Sequence, residues 1–560
     1  MDKVTDDIAA AVLELFDERV DVKLTVQDDE AHGDFSTGVA MQLASKLKKN
    51  PREIAQAIAD KLSYDTEVAG AGFTNLRLHG LELLGLLDAA WSEKFGENND
   101  GAGKTVIVEY PSQNMAKPYS VGHLRPGNQG WATKKLMEAT GWEVITDNHL
   151  GDYGAPFGIW ATGFSHFSSQ KALDNRGVYE LGDVYIKTKQ ALKDEAERGE
   201  HTLADEVQDW LLKLEAGDPE AVRYSEMFNE ISLKHIHSIM DRLKINTDYE
   251  LGEKFFAPLG KEEVEKYLKS GVFTKNADGS VICDLSDQGI DVPFLVLKSN
   301  GAALYATTDL ATMTYRANEF KPDRIIHAVG AEQKFYFEQL FAMAKKIGLG
   351  DIEMIHLWFG VIDQVGEDGK REKMSSRKGV VLMDELLDRA EDEARRVVEG
   401  RDVSDDDVKK IALGAIKFSD FAADRRTNIL FDWRTVFALT GFSGPYVQYA
   451  TVRVNKILEL NRDFELVDFA NYDFAAEKPL VKALLAYPDI VRHSANLLEP
   501  HRIAFYLHDL AKLLNQYYEQ NPVNSAEAAT RSARITVLKK VSQVMVHALD
   551  ILGIEVPSRM

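Results

Sequence analysis

The chain has 560 residues, 45% hydrophobic and 28% charged, which is enough for three or more globular units. Its 66 Lys and Arg stand against 89 Asp and Glu, and the net charge of −23 excludes a protein that holds nucleic acid by overall charge, leaving only local basic grooves for that purpose. A single cysteine, Cys283, excludes a disulfide framework and a cysteine-rich metal site, while the polar, acidic start and the lack of a long apolar run point to a cytoplasmic protein with no membrane partner.

Residues 1–100 read as a separate α+β unit. Within it, Asn50-Pro51-Arg52-Glu53 supplies an N-cap, a first-turn proline and a capping glutamate ahead of Ile54, Ile58 and Leu62 at helical spacing. The stretch from Gly96 to Gly103 punctuates the chain as a linker. Thr105-Val106-Ile107-Val108 follows, a β-branched run suited to a strand buried on both faces. Ala132, Leu136 and Ala139 fall at helical spacing, Gly141 suits a C-cap, and Trp142-Glu143-Val144-Ile145 resumes a strand. This is one βαβ unit of a doubly wound parallel sheet, so residues 104–403 read as a Rossmann-like α/β domain.

A charged, helical pattern near residues 165–245 reads as an insertion between the two sheet halves. Strand patterns return at Phe294-Leu295-Val296-Leu297 and Ile325-Ile326-His327-Ala328-Val329, and Cys283 reads as a packed core thiol. From residue 404 to 560 the pattern is that of an all-α unit without strand signals.

Two polar segments carry chemistry. The first extends from the end of the first strand through Lys117-Pro118-Tyr119-Ser120-Val121-Gly122-His123. Ligands of an open α/β sheet bind beyond the carboxyl ends of its strands, so Glu109 and Asn114 are placed to touch one. Gly122 permits close backbone approach, and His123 begins a helix whose free N–H groups favour phosphate. Pro126 is tolerable only in that first turn. The second segment, Lys373-Met374-Ser375-Ser376-Arg377-Lys378-Gly379, packs three cations and two hydroxyls into one loop suited to a triphosphate.

The pair, in this order, resembles the two signatures of the class I aminoacyl-tRNA synthetases, and the surrounding sequence is similar to the arginyl branch over essentially the whole chain. His32–Met41 resembles that family's N-terminal tRNA-binding domain, Asn148-His149-Leu150-Gly151-Asp152-Tyr153-Gly154 its loop after the second strand, Gly444–Ala450 the opening of its anticodon-binding domain, and Leu552–Met560 its ending. The resemblance implies ATP-dependent ligation of L-arginine to tRNA(Arg) through an arginyl-adenylate, by a monomer, with Mg²⁺ accompanying ATP and with no resident metal. It assigns Lys117, His123, Lys373, Arg377 and Lys378 to the phosphates, and Ser120, Gly122 and Ser375 to further ATP contacts.

A guanidinium is planar, permanently charged and rich in donors, so its pocket should offer carboxylates and amide oxygens. Tyr305 and Asp309, four residues apart, share a face if a helix starts there. By resemblance, Glu109 and Asp309 grip the guanidinium, while Ser112, Asn114, Tyr305 and Gln333 hold the rest of arginine. A hydrogen-bonding site of this kind rejects apolar analogues, so no editing domain is expected.

Three positions depart from the arginyl branch, and a fourth, Ser376, departs only from the wider class, since a small hydroxyl residue is common there in the arginyl branch. Ser120 stands where histidine is usual, Pro156 where glutamine is, and Thr308 where arginine is common; Ser376 stands where many class I enzymes carry lysine. Ser120 motivates one competing reading, a non-catalytic tRNA-binding paralogue, against which the intact distal loop and the Glu109/Asp309 pair argue. A tRNA-independent ligase of the same superfamily is the other, and the tRNA-binding termini argue against it. In the helical region, Trp433, Arg453, Arg492, His493, Arg502, Tyr506, Tyr517 and Tyr518 mix cations with aromatics and offer stacking platforms for unpaired bases.

Overall fold

The computed structural model describes residues 2–27, 32–115, 117–365, 371–374 and 381–560. The run at Thr105–Glu109 forms the first strand of a four-stranded parallel sheet, with Val106, Ile107 and Val108 fully buried. Glu143–Asp147, Arg324–His327 and Glu353–His356 are the second, third and fourth strands, and the spatial order is fourth, third, first, second. The helix Leu124–Ala139 carries the chain from the first strand to the second, on one side, and the later strands add on the other. The reversal between first and third strands opens a crevice at their carboxyl ends. Register there places Asp147, Glu109, His327 and His356 in one row across the sheet. Four ionisable side chains therefore line up on a single edge.

The helical insertion begins earlier than the sequence pattern indicates. Five helices, Ala155–Phe167, Gln170–Arg176, Val178–Glu197, Thr202–Glu215 and Pro219–Leu243, pack a core of their own around Trp160, Leu181, Trp210 and Phe228. Asp218 caps the longest of them by accepting from the N–H groups of Glu220 and Ala221, and Pro219 occupies the first turn.

Phe294–Leu297 does not join the parallel sheet. It pairs antiparallel with Val281–Cys283, which pairs in turn with Thr274–Lys275. The reason lies in one-sided burial: Phe294 and Val296 are inside while Leu295 is 42% exposed, the alternation of an antiparallel strand with one solvated face. Cys283 is fully buried, and burial pushes its thiol up to about 11, as a core thiol requires. A third small sheet joins Ile362–Val365 to Arg371–Lys373 and, in parallel, to Ile429–Phe431. The last strand corrects the reading of residues 404–560 as free of strands; three residues are too few to show a period.

The N-terminal unit is α+β, with a four-stranded antiparallel sheet and the helices Asp2–Phe16, Val39–Leu47, Pro51–Lys61 and Gly80–Ala90. Asn50 caps Pro51–Lys61, its Oδ1 accepting from Arg52 N at 2.9 Å. Asp34, buried in this unit, pairs with Lys478 at 2.8 Å and Lys482 at 3.5 Å from the C-terminal helices. The segment Gly96 to Gly103 is tied down: Asn98 N donates to Ala139 O at 2.9 Å and Gly101 N to Thr140 O at 2.8 Å. Turn-forming composition marks a bend there, and these bonds anchor it to the α/β unit. Beyond residue 404, the helices Asp405–Asp420, Gly444–Leu460, Lys478–Leu497, His501–Gln520 and Ala528–Ile551 account for most of the chain.

Candidate active site

A cavity of about 290 Å³ opens at the carboxyl ends of the first and third parallel strands. It is at the small end of ligand pockets, which run from roughly 300 to 1,000 Å³. Glu109, Ser112 and Asn114 enter it from the first strand and the turn after it. Tyr305 and Asp309 come from one face of the helix Tyr305–Glu319, and Gln333 from the turn that follows the third strand. All six residues read from the sequence as arginine contacts therefore line one space. Tyr305 is 63% exposed and forms the rim. His149, Gly151, Glu253 and Tyr336 line the cavity as well.

Its chemistry is acidic. Glu109 is desolvated, which alone would raise its carboxyl; His327 and Arg316 beside it hold the group well below the usual range. Arg316 Nη1 donates to Glu109 Oε2 at 2.6 Å, and His327 Nδ1 lies 3.1 Å from the same oxygen. Only Oε1, 3.4 Å from Ser112 Oγ, remains to address the cavity. Burial pushes Asp309 upward against the opposing pull of His149 and Tyr336. The Tyr336 hydroxyl donates to Asp309 Oδ2, and His149 Nε2 lies 4.0 Å from Oδ1. Glu253 is raised to about 8 by burial and by its neighbours Asp309 and Asp152. Three carboxylates thus face a small desolvated space, a setting that suits a compact cation with several donors.

Backbone pairing holds the rim. Met115 N donates to Gly151 O at 3.1 Å, and Gly151 N to Gln113 O at 2.9 Å. A Cβ on Gly151 would stand 2.4 Å from Asn114 Oδ1, so only glycine leaves Asn114 its place. Ser112 N donates to the buried Asn148 Oδ1 at 3.1 Å. The loop at 148–154 is thereby built into the cavity wall.

The segment beyond Asn114 leads to His123, which caps the helix Leu124–Ala139. Ser120 Oγ lies 3.3 Å from His123 Nδ1. Burial lowers the imidazole to about 4, with Lys117 acting in the same direction, so His123 is neutral at physiological pH. Little surrounds Gly122: a Cβ there would meet only Ser120 Oγ, at 3.4 Å. Lys117 is exposed, with its ammonium 4.5 Å from the centre of the Tyr185 ring in the insertion. The distal loop leaves from the strand Arg371–Lys373, where Met374 N donates to Ile362 O at 3.0 Å. Ser375, Ser376, Arg377 and Lys378 lie outside the described residues. On the far side of the loop, Val121 N donates to Val381 O at 3.0 Å and Met383 N to Tyr119 O at 2.8 Å. Backbone bonds thus tie the first polar segment to the chain just beyond the second, a link that sequence order alone does not show.

Sequence reasoning did not assign His149, Glu253 or Tyr336. His149 lay inside a motif already singled out, and that was a usable signal. Glu253 follows a glycine at an ordinary helix start, and Tyr336 sits in an aromatic run resembling core. Neither carries a local mark. Among the C-terminal aromatics, several are core: Tyr517 is buried with its hydroxyl 2.6 Å from the fully buried Glu477 Oε1, and Tyr506 Oη donates to Ala483 O at 3.0 Å. Arg492 pairs with Asp100 at 3.0 Å, Arg502 with Glu499 at 2.6 Å, and His493 Nδ1 lies 2.8 Å from Asp489 O. Trp433 stacks on Phe437 beneath Arg389. Arg453 lies over the rings of Tyr449 and Tyr518, at 5.7 and 5.1 Å from their centres, which leaves a cation with two aromatics as the platform-like group.

Comparison with known proteins agrees with this organisation. The model for the catalytic domain of class I tRNA synthetases (R) matches residues 88–433. The DALR anticodon binding domain matches 447–560, and the arginyl tRNA synthetase N terminal domain matches 2–78. The chain is 33% identical over 536 residues to an arginine–tRNA ligase of Lactococcus lactis subsp. cremoris (strain MG1363), covering 93% of each chain. It is 31% identical over 570 residues to the arginine–tRNA ligase of Idiomarina loihiensis, covering 97% of this chain and 96% of that one. In fold it is similar to Thermus thermophilus arginyl-tRNA synthetase, with a TM-score of 0.82 at 24% identity and full coverage of both chains.

Proposed function

The chain belongs to the arginyl-tRNA synthetase family of class I, and from that membership we propose how its own residues carry out the family's reaction. The protein is an arginine–tRNA ligase: it joins L-arginine to tRNA(Arg), with ATP as a substrate. The α-carboxylate of arginine attacks the α-phosphate of ATP, the bond to the β-phosphate breaks, and pyrophosphate leaves. A hydroxyl of the terminal tRNA adenosine then attacks the adenylate carbonyl, the arginyl ester forms, and AMP leaves. Neither step needs a protein nucleophile, so positioning and charge stabilisation carry the catalysis.

The observation that supports the arginine assignment is the acidic cavity, into which Glu109, Asp309 and Glu253 all face. Glu109 Oε1, Asp309 and Glu253 receive the guanidinium. Ser112, Asn114, Tyr305 and Gln333 hold the aliphatic stem and the α-amino end. His123, neutral and oriented on its Nδ1 side by Ser120, contacts the phosphates through its other nitrogen. Gly122 leaves room for the nucleotide, and Lys117 swings from the Tyr185 ring to the triphosphate. Lys373, Arg377 and Lys378 neutralise the β,γ-phosphates and the departing pyrophosphate, and the Ser375 hydroxyl adds a neutral ATP contact. Mg²⁺ comes with ATP as part of the substrate complex. The protein acts as a cytoplasmic monomer; no helix among the described residues is long and apolar enough to cross a membrane.

ATP–pyrophosphate exchange with arginine and tRNA present, for the wild type and for Lys373→Ala, tests the loop. Loss of about two to three orders of magnitude in rate is expected from removing one preorganised charge on the reacting phosphates. Equal rates would remove the loop from the mechanism.

A further inference from the structure

Behind the cavity lies a guanidinium of the protein's own. Arg316 is fully buried on the same helix as Asp309. Its Nη1 donates to Glu109 Oε2 at 2.6 Å and its Nη2 to Asp147 Oδ2 at 2.7 Å. Both acceptors belong to the row of side chains at the carboxyl edge of the sheet, where Glu109 and Asp147 are in register. Each carboxylate has a second oxygen with a second task. Glu109 Oε1 faces Ser112 and the cavity. Asp147 Oδ1 accepts from Leu251 N at 3.0 Å, just ahead of Glu253 in the chain. Glu253 N in turn donates to Leu150 O at 2.9 Å, so the turn that delivers Glu253 is held on the same wall.

We propose that Arg316 is a positioning residue for amino-acid selection, one planar fork that aims Glu109 directly and the Glu253 turn through Asp147. The inference rests on reading the cavity as the arginine site. Two buried carboxylates this close repel each other, and each gains either by protonating or by turning toward a cation. Without Arg316, only His327 Nδ1, 3.1 Å from Oε2, would still hold Glu109, and the carboxylate could turn toward the ligand in a different rotamer. With Arg316 in place, Glu109 is committed to one geometry before the ligand arrives, and the ligand meets a single oxygen at a set position. Lysine cannot substitute: its compact ammonium addresses one carboxylate well, whereas the guanidinium fork spans both. Binding then needs no rearrangement of the acidic wall.

Arg316→Lys keeps the charge and breaks the fork. The expected result is a KM for arginine raised by about tenfold or more, the scale of a charged hydrogen bond, with the KM values for ATP and tRNA unchanged. Asp147→Asn removes the second arm only and should raise the KM for arginine in the same direction. The double variant should lose less than the product of the two single effects, because both act through one network. A merely structural role would move all three KM values and kcat together, and that outcome overturns the proposal. So does an unchanged KM for arginine in Asp147→Asn, which decides the matter should Arg316→Lys fail to fold. Glu109→Gln is measured in parallel. If it raises the KM for arginine while the Arg316 and Asp147 variants do not, the positioning role fails and the arginine site stands. If it too leaves that KM unchanged, the reading of the cavity is at fault.

Discussion

Arginine binding should release a proton from Glu253. Burial and the neighbouring Asp309 and Asp152 raise this carboxyl from 4.5 to about 8, so it is mostly protonated at neutral pH. A guanidinium brings a fixed positive charge, since it does not titrate below about pH 12. Its arrival favours the charged form of Glu253 and returns the carboxyl toward its ordinary value. Between those two values, affinity grows about tenfold per pH unit, equivalent to about 1.4 kcal/mol. The KM for arginine should therefore fall by about fiftyfold from roughly pH 6 to pH 8 and flatten above that. Steady-state aminoacylation at saturating ATP and tRNA measures it. Glu253→Gln is the control, because it retains the titration of the ligand's own amino group while removing this one. Equal pH slopes in wild type and Glu253→Gln would refute the reasoning, as would a flat wild-type profile. Stability gives an independent sign. The folded value lies above the unfolded one, so this group's contribution is intact below about pH 4.5 and is lost as pH rises through about 8. Glu253→Gln should consequently raise Tm, and most of all at pH 8 and above.

Two other outcomes follow from the geometry. Ser120→Ala removes the hydroxyl 3.3 Å from His123 Nδ1 and should lower kcat/KM for ATP about fivefold, the scale of one neutral hydrogen bond of about 1 kcal/mol, with Tm unchanged; an unaltered kcat/KM would show that His123 needs no such support. Tyr517→Phe leaves the fully buried Glu477 without the donor at 2.6 Å and should cost about 1–3 kcal/mol of stability by denaturant titration while leaving the KM for tRNA unchanged. A raised KM for tRNA in a variant of wild-type stability would return Tyr517 to the RNA-binding surface.

Much of the site was legible before the fold was known. Glu109, Ser112, Asn114, Tyr305, Asp309 and Gln333 were readable because the arginyl family resemblance assigns them, and strand ends and helical spacing agree with that assignment. His149 was within reach, inside a motif already in view. Glu253 and Tyr336 were not, because what makes them part of the cavity is who stands opposite them. The Phe294–Leu297 strand misled for a related reason: an apolar run states what can be buried, and only its partners decide whether one face or both are covered. Among the C-terminal aromatics, the same residue types stand in the core and nearer the surface, and the distinction rests on which helix packs against each.

The sequence by itself determined the order of units, the chemistry class and the two polar signature segments, since these depend on residue type, spacing and local backbone preference. Tertiary structure decided the charge state and aim of the site. Arg316, Asp147 and Glu109 come from distant parts of the chain and meet only across the sheet. A carboxylate's protonation depends on burial and on neighbouring charge, and neither exists until the chain has folded.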